Sequence, residues 1–600
     1  MSKKNQHQNK TTNSRRVLIT RVIAAFLCFL MVFSVIAMIV RANASMEIDL
    51  KSGDEIDVAL YSGATLAESL TVSTGKGFQI EIPCDGEWIL FEEASEIRSV
   101  AVANGDHLVN DGGVYIDAGN NPSPHIGGYR IMLSSYSTKV GGSSENDNII
   151  QFRPSSETTG TFNRSNISGY VSRITDTVVK LGSFPFPAFV DGEFYICLGG
   201  FASEEDADAF LDEFKNHYIC EAEITEPDPD AYSVIDVQAG ALIMHFSGID
   251  SLALTPVGGA DFASSSGEEY YGRLSFSMQK GGFRIINTLY MEQYIASRLA
   301  LEVDTSWNIE ALKAIATVIR TNAYAGLDDR SAHAKDGFDF CSNAHCGVYH
   351  GCANVNDNVI SAVHETESMV IKSDGRLINA LYGSFYGGAT VSLGEAYGSI
   401  MDGKGEYLVG SVSAWESYEK RIGGRWKYEI TPYELYEMLS KRISDCPLEG
   451  NIASVDIVKT SESGVYVTEL RFTDIFENTL TLSGGEIIRN TLAGIVDSAN
   501  FVVGISGSTV SEIGFKYDKT SKQTTTFENK VKLEGSYGNF VFYGRGIGSG
   551  LGMSLCGAND LAKISGEYEN AYIDIIKAYY SGVSVENITS NEESTPDLAI

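Results

Sequence analysis

The sequence predicts an α+β, multi-domain protein: a β-rich N-terminal region, a small strand–helix–strand module, and a mixed α/β C-terminal domain carrying the chemistry. Three observations lead there. Strand-like alternation marks the early chain, as in Ile56-Asp57-Val58-Ala59-Leu60-Tyr61 and Phe78-Gln79-Ile80-Glu81-Ile82. An apolar period of 3–4 residues marks two later stretches, at Ala207, Phe210, Leu211 and Phe214 and at Ile309, Leu312, Ala316, Ile319 and Ala323. The chain has 600 residues, is 43% hydrophobic and 20% charged, and holds 60 glycines against 12 prolines, which suits several globular units rich in strands and turns.

Charge narrows the partners. Lys and Arg number 45 against 78 Asp and Glu, a net charge of −33. Phosphate binding needs a basic footprint, so nucleic acid is excluded as the expected partner, as is adhesion of the soluble body to an anionic membrane. The N-terminus sets the compartment. Lys3, Lys4, Lys10, Arg15, Arg16 and Arg21 precede an uncharged apolar run from Val22 to Val40. Basic residues before such a run stay in the cytoplasm, and the run is long enough to span a bilayer. Ala42-Asn43-Ala44 also reads as a cleavage site. Residues 1–44 are therefore a signal peptide or a signal anchor. Either exports the remainder, to the outer face of the cell membrane or to the cell wall, with membrane attachment if the segment stays uncleaved.

In chain order, residues 45–182 form the β-rich region, punctuated by Asn104-Gly105, Asp111-Gly112-Gly113 and Gly127-Gly128. Residues 186–223 form the small module. Phe194, Ile196 and Leu198 alternate, Ser203 with Asp206 three later starts a helix, and Tyr218-Ile219-Cys220 opens another strand. This unit resembles a sporulation-related (SPOR-like) repeat, a peptidoglycan-binding module; a purely structural unit is the alternative. The acidic, proline-containing stretch 225–230 is a linker, 232–585 is the C-terminal domain, and 586–600 is a polar, loose tail.

The C-terminal domain is organised around Leu299-Ala300-Leu301-Glu302-Val303-Asp304-Thr305-Ser306-Trp307. A helix from Glu292 to Leu301 delivers the chain to Glu302. An acid set among Leu299, Leu301 and Val303 is partly desolvated if packed, which favours the protonated form that a general acid needs. The next helix, 309–325, carries one apolar stripe, with Ser306 or Asn308 as its cap, Glu310 in its first turn, and Lys313 and Arg320 off the stripe. Further on, Cys341, His345, Cys346, His350 and Cys352 offer thiols and imidazoles at a density compatible with zinc. A disulfide with a free thiol is the competing reading in an oxidising exterior. The other cysteines show no framework spacing. Asp374-Gly375 is a hairpin turn. Two glycine-rich stretches follow, Tyr382 to Thr390 and Gly544 to Ser554, where small residues let a ligand approach the backbone. Asp560 to Tyr580 reads as helical with a break at Gly566.

Tyr294, Glu302, Ser306-Trp307, Glu310-Ala311-Leu312-Lys313-Ala314 and Arg320-Thr321-Asn322-Ala323-Tyr324 together resemble the signature of the stage II sporulation protein D (SpoIID) and amidase-enhancer family. Cys341 to Tyr349, Tyr382 to Thr390 and Gly544 to Ser554 resemble three further family segments in the family's order. The resemblance runs from about 271 to about 582. It implies an exported peptidoglycan lytic transglycosylase with Glu302 as catalyst, acting in cell-wall remodelling connected with sporulation. It further implies glycan contacts from Trp307, Arg320, Tyr324, Ser384, Gly387, Gly388, Thr390, Arg545, Ser549, Met553 and Ser554. Zinc on Cys341, His345 and Cys346, peptidoglycan glycan strands as the main partner and a cell-wall amidase as a second are implied in the same way. The chain departs from the family at Gly383 and Ser549, where His is usual, and at Leu555, where Gln is usual. Those departures favour the rival reading, a catalytically weak glycan-binding or amidase-enhancing protein.

Overall fold

The computed structural model describes residues 50–588, except 63–65, 68, 85–86, 105–107, 112–113, 118–128, 139–161, 227, 229, 260–261, 265–266, 281, 329–332, 334, 344, 399–404, 417–423 and 566–569. The expected signal segment at 1–44, and the tail from 589 on, lie outside the described residues. No helix among the described residues is long and apolar enough to cross a membrane.

The architecture is mixed α+β and strand-rich. One seven-stranded sheet runs in the order Phe340–Cys341, Glu55–Tyr61, Gly282–Tyr290, Arg273–Gln279, Leu252–Pro256, Phe78–Cys84, Glu87–Ala94. Residue 182 therefore does not separate an independent β-rich region from the C-terminal part of the chain. Glu55–Tyr61 pairs antiparallel with Gly282–Tyr290, register Ile56 to Leu289 and Val58 to Asn287, and parallel with Phe340–Cys341. The alternation legible at Ile56, Val58 and Leu60 had no covalent hint of its partner, because strand pairing is set by burial of one face against distant chain. Ile56 and Val58 are buried to 1% and 0% exposure.

A ten-stranded sheet contains the small module. Glu193–Phe201, the helix Glu204–His217 and Tyr218–Thr225 match the expected strand–helix–strand order, and the Ser203 hydroxyl accepts from the Asp206 N–H at 3.2 Å to start the helix. The helix buries Ala207, Phe210, Leu211 and Phe214, the stripe read from spacing. The unit is larger than 186–223. Tyr129–Thr138, the helix Ile167–Lys180 and Phe184–Val190 precede it, completing a βαββαβ unit whose four strands, taken in chain order, lie 4-1-3-2 and pair antiparallel.

The hub of the C-terminal part is the helix Ile309–Asp328. It packs against the helices Met291–Glu302, Asp357–Glu365, Leu555–Ser565 and Ala571–Lys577. Being enclosed, it is buried around its girth rather than along one stripe: Ala314, Ile315 and Val318 are as inaccessible as Leu312 and Ala316. Asn308 is its cap, accepting from the Glu310 N–H at 2.9 Å, while Ser306 instead donates to Asp304. Glu310 is no surface acid. It is buried, salt-bridged to Lys313 at 2.7 Å, and accepts from the Tyr572 N–H at 2.8 Å, so it caps the helix Ala571–Lys577 from a neighbouring element. Asp374 and Gly375 both take positive φ, 50° and 78°, forming the expected hairpin turn between Met369–Ser373 and Arg376–Leu377. Ser584–Asn587 pairs antiparallel with Met369–Ser373, so the first residues of the expected loose tail are sheet. Beyond these lie the sheets Arg425–Ile430, Phe540–Arg545, Phe501–Ile505 and Ile452–Thr460, Val467–Asp474, Thr479–Ser483, which share one core including Leu435, Leu470, Phe472 and Phe542.

Candidate active site and metal centre

Glu302 is the last residue of the helix Met291–Glu302, and Val303, its C-cap, is extended. The carboxylate therefore stands where the backbone leaves the helix, with 27% of its side chain exposed. The apolar enclosure expected from Leu299, Leu301 and Val303 does not form around it. Leu299 faces the core, and the carboxylate meets polar neighbours instead. Arg298, one helical turn earlier, donates from Nη2 to Oε1 at 2.8 Å, and the Tyr382 hydroxyl donates to the same oxygen at 2.8 Å. Among the described residues Oε2 accepts no hydrogen bond.

Both clamping groups are themselves held. Arg298 donates to the Tyr294 hydroxyl at 3.1 Å and to the Cys346 carbonyl at 3.0 Å, and its guanidinium lies 5.8 Å from the Tyr294 ring centroid. Burial alone would lower the Arg298 pKa, but Tyr294, Tyr382 and Glu302 outweigh it and push it above the usual value, so the cation is secure. Burial, then the Glu302 charge, raises the Tyr382 hydroxyl well above the ordinary phenol range, so it stays a donor. Gly347 is required here: with φ 93°, a Cβ would sit 2.2 Å from Arg298 Nη2. A cavity of 390 Å³ beside this group is lined by Arg298, Asn322, Tyr382, His345 and Cys346, among others.

Tyr382–Gly383 pairs parallel with Met553–Ser554, and Phe385 bridges Ile547, so the two glycine-rich stretches are brought together beside Glu302. Their residues divide by burial. Ser384 is exposed, and Ser549 and Trp307 are partly exposed. Gly387 and Gly388 are buried turn residues at φ 77° and 95°, and the Gly388 N–H donates to Glu416 at 3.0 Å. Ser554 is buried and donates to the same carboxylate at 2.7 Å; Thr390 and Met553 are buried as well. Arg545 is 2% exposed, donating to Asn500 at 3.2 Å and to the Ile513 carbonyl at 2.6 Å. Arg320 is fully buried and salt-bridged to Glu292 at 2.6 Å. Tyr324 packs near Gly53, its hydroxyl pushed up to about 12 by burial, then by Asp54 and Glu292. Arg320, Thr390, Arg545, Met553, Ser554, Gly387 and Gly388 are all buried, and the polar side chains among them bond within the domain.

Three groups at the site are not marked as site residues by the sequence pattern. Arg298 was findable, since four residues before Glu302 on a helix is the same face. Tyr382 stood at the head of a recognised segment. Glu416 left no trace, since only tertiary contact joins it to Tyr386, Gly388 and Ser554.

The cysteine cluster acquires a fourth donor, His333, which lies eight residues before Cys341. His333, Cys341, His345 and Cys346 place one ligand atom each within 4.8 Å of one another. His333 Nε2 and His345 Nδ1 each lie 3.2 Å from Cys346 Sγ, and His345 Nδ1 lies 4.0 Å from Cys341 Sγ. Ligand atoms of tetrahedral zinc sit roughly 3.3–3.8 Å apart, so a Cys₂His₂ set of this size fits zinc. Both cysteines are free thiols here. Burial pushes the Cys346 thiol up to about 11. His350 and Cys352 are not part of the cluster: His350 is exposed near Glu268, and Cys352 is buried with its N–H on the Glu269 carbonyl.

Comparison with known proteins finds similarity over the same part of the chain. Residues 279–372, which span Tyr294 to the cysteine cluster, match the family model described as stage II sporulation protein, SpoIID. An uncharacterized protein of Brachyspira hyodysenteriae is 25% identical over 334 residues, 56% of this chain and 77% of that protein. The amidase enhancer of Bacillus subtilis is 25% identical over 305 residues, 47% of this chain but only 39% of its own length.

Proposed function

From the match of residues 279–372 to the SpoIID family model, we propose that the chain is an exported lytic transglycosylase acting on peptidoglycan glycan strands. The family match and the amidase-enhancer relative support a cell-wall function. The observation that carries the finer reading is the asymmetry of Glu302: one carboxyl oxygen is clamped by Arg298 and Tyr382, while the other accepts no hydrogen bond among the described residues. A general acid–base needs that division, because the fixed oxygen sets orientation and the free one exchanges the proton. Glu302 would protonate the glycosidic oxygen between MurNAc and GlcNAc as that bond breaks. The MurNAc C6 hydroxyl oxygen would then bond to C1, passing its proton to the Glu302 carboxylate and leaving a 1,6-anhydro end. The nucleophile belongs to the substrate, so the second carboxylate of ordinary glycosidases is not required.

Zinc on His333, Cys341, His345 and Cys346 would act structurally. It would stiffen the loop whose Cys346 carbonyl holds Arg298, and Arg298 in turn holds Glu302. The decisive experiment incubates the purified chain with glycan strands and reads the products by mass spectrometry. Anhydro ends that vanish in Glu302→Gln support the proposal; reducing-end products, or anhydro ends undiminished in that variant, sink it.

The second reading, a glycan-binding or amidase-enhancing protein of little activity, draws on Ser549. Its hydroxyl accepts from the Leu551 N–H at 3.2 Å and offers no imidazole where the family usually has one. No anhydro product from the parent chain would favour it.

A further inference from the structure

We propose that the C-terminal part holds a second carbohydrate subsite, distinct from the Glu302 site, in the 580 Å³ cavity between the strand Ile452–Thr460 and the hairpin arm formed by Thr509–Asp518 and Gln523–Lys532. The inference rests on the glycan-strand reading above. The cavity has the size of a small-ligand site. Its floor is Phe501, Val502 and Tyr543, and its rim is Phe527, 42% exposed at the arm. Phe527 is closely seated on Gly514, its cross-strand partner, where a Cβ would lie 2.6 Å from the ring as placed.

The charges that line the cavity are already satisfied. Glu512 takes both guanidinium nitrogens of Arg425 at 2.8 and 2.9 Å, Glu528 is paired with Lys530 at 2.8 Å, and Arg545 is bound to Asn500 and the Ile513 carbonyl. A charged ligand reaching the inner wall would compete with the Glu512–Arg425 pair and the Arg545 contacts. A neutral ligand with apolar faces and many hydroxyls need not, and it gains aromatic surface from Phe527 and Tyr543 with a hydroxyl partner in Thr460. N-acetylated pyranose units fit that description.

The cavity is also near the cleavage site. Arg545 packs on Gly387, whose built Cβ would lie 2.9 Å from its Cγ, and Gly387 is five residues from Tyr382, which touches Glu302. Five residues reach at most about 18 Å, which bounds the separation of Gly387 and Tyr382.

The test titrates the N-acetylglucosamine hexamer into the full chain bearing Glu302→Gln, by calorimetry. Adding Phe527→Ala should weaken binding at least about fivefold, and Phe527→Tyr should restore it, because an aromatic face on a sugar is the contact removed. Phe527 is exposed enough that the fold should survive, which circular dichroism checks. Unchanged affinity in Phe527→Ala, or no hexamer binding before that change, overturns the subsite. Phe527-dependent binding in a parent that makes no anhydro product overturns the catalytic reading alone and leaves the subsite standing.

Discussion

Glu302→Gln preserves the shape of the side chain, and its amide oxygen can still accept from Arg298 and Tyr382. What it loses is a transferable proton. General acid–base assistance contributes about 10²–10⁴-fold, and one group would serve both half-reactions, so anhydro-product formation should fall by at least the upper figure while glycan affinity holds. Tyr382→Phe makes a finer test of positioning. It removes one of the two donors to Oε1, a bond to a charged group worth about 1.5–3 kcal/mol. We expect kcat to fall about 10–100-fold with KM little changed; an equal loss in KM would mean that Tyr382 binds substrate rather than holding Glu302. Glu310→Gln, which the sequence marks only as a first-turn acid, should cost about 1–3 kcal/mol, since it sits buried between Lys313 and the Tyr572 N–H. A thermal midpoint unchanged from the parent would show that contact to be unimportant.

The elements around the site are coupled by buried polar groups. The helix Met291–Glu302 is locked to the helix Ile309–Asp328 by Glu292 and Arg320, with Nε and Nη2 at 2.8 and 2.6 Å from the two carboxylate oxygens. Glu292→Ala leaves a guanidinium with no access to water and should cost about 3–5 kcal/mol, read as a lower denaturant midpoint. The loop bearing Cys346 is coupled in the same way, through the Cys346 carbonyl to Arg298. We expect elemental analysis to find one zinc per chain, Cys346→Ser to abolish it, and a chelator to lower the thermal midpoint. Thiol titration that finds Cys341 and Cys346 both reactive in a metal-free, fully active protein would count against the centre.

Across the whole chain, the N-terminal strands are structural parts of the unit that bears Glu302. Glu55–Tyr61 lies between Gly282–Tyr290 and Phe340–Cys341, one strand from the sheet edge. Cutting the chain at 182 would strip Gly282–Tyr290 of a partner along most of its length and expose Leu289 and Ile285, which are now buried. Such a fragment should be insoluble or unfolded, whereas one beginning at Lys51 should fold. A soluble, cooperatively melting fragment from 183 on would show that the sheet tolerates the loss.

Features that depend on near neighbours are legible in the chain itself: the capped stripe at Ser203–Phe214, the Asp374-Gly375 hairpin, the helix after Trp307 and the standing of Glu302 at a helix end. Periodicity and turn chemistry act over a few residues, so they can be read without a fold. Long-range packing was needed to select which oxygen of Glu302 is held, to turn Arg320 and Arg545 to the interior, to bring His333 into the Cys₂His₂ set, and to set Ile56 opposite Leu289. Each of these joins residues far apart in the chain, and such partners are chosen by the burial of whole faces rather than by any local pattern.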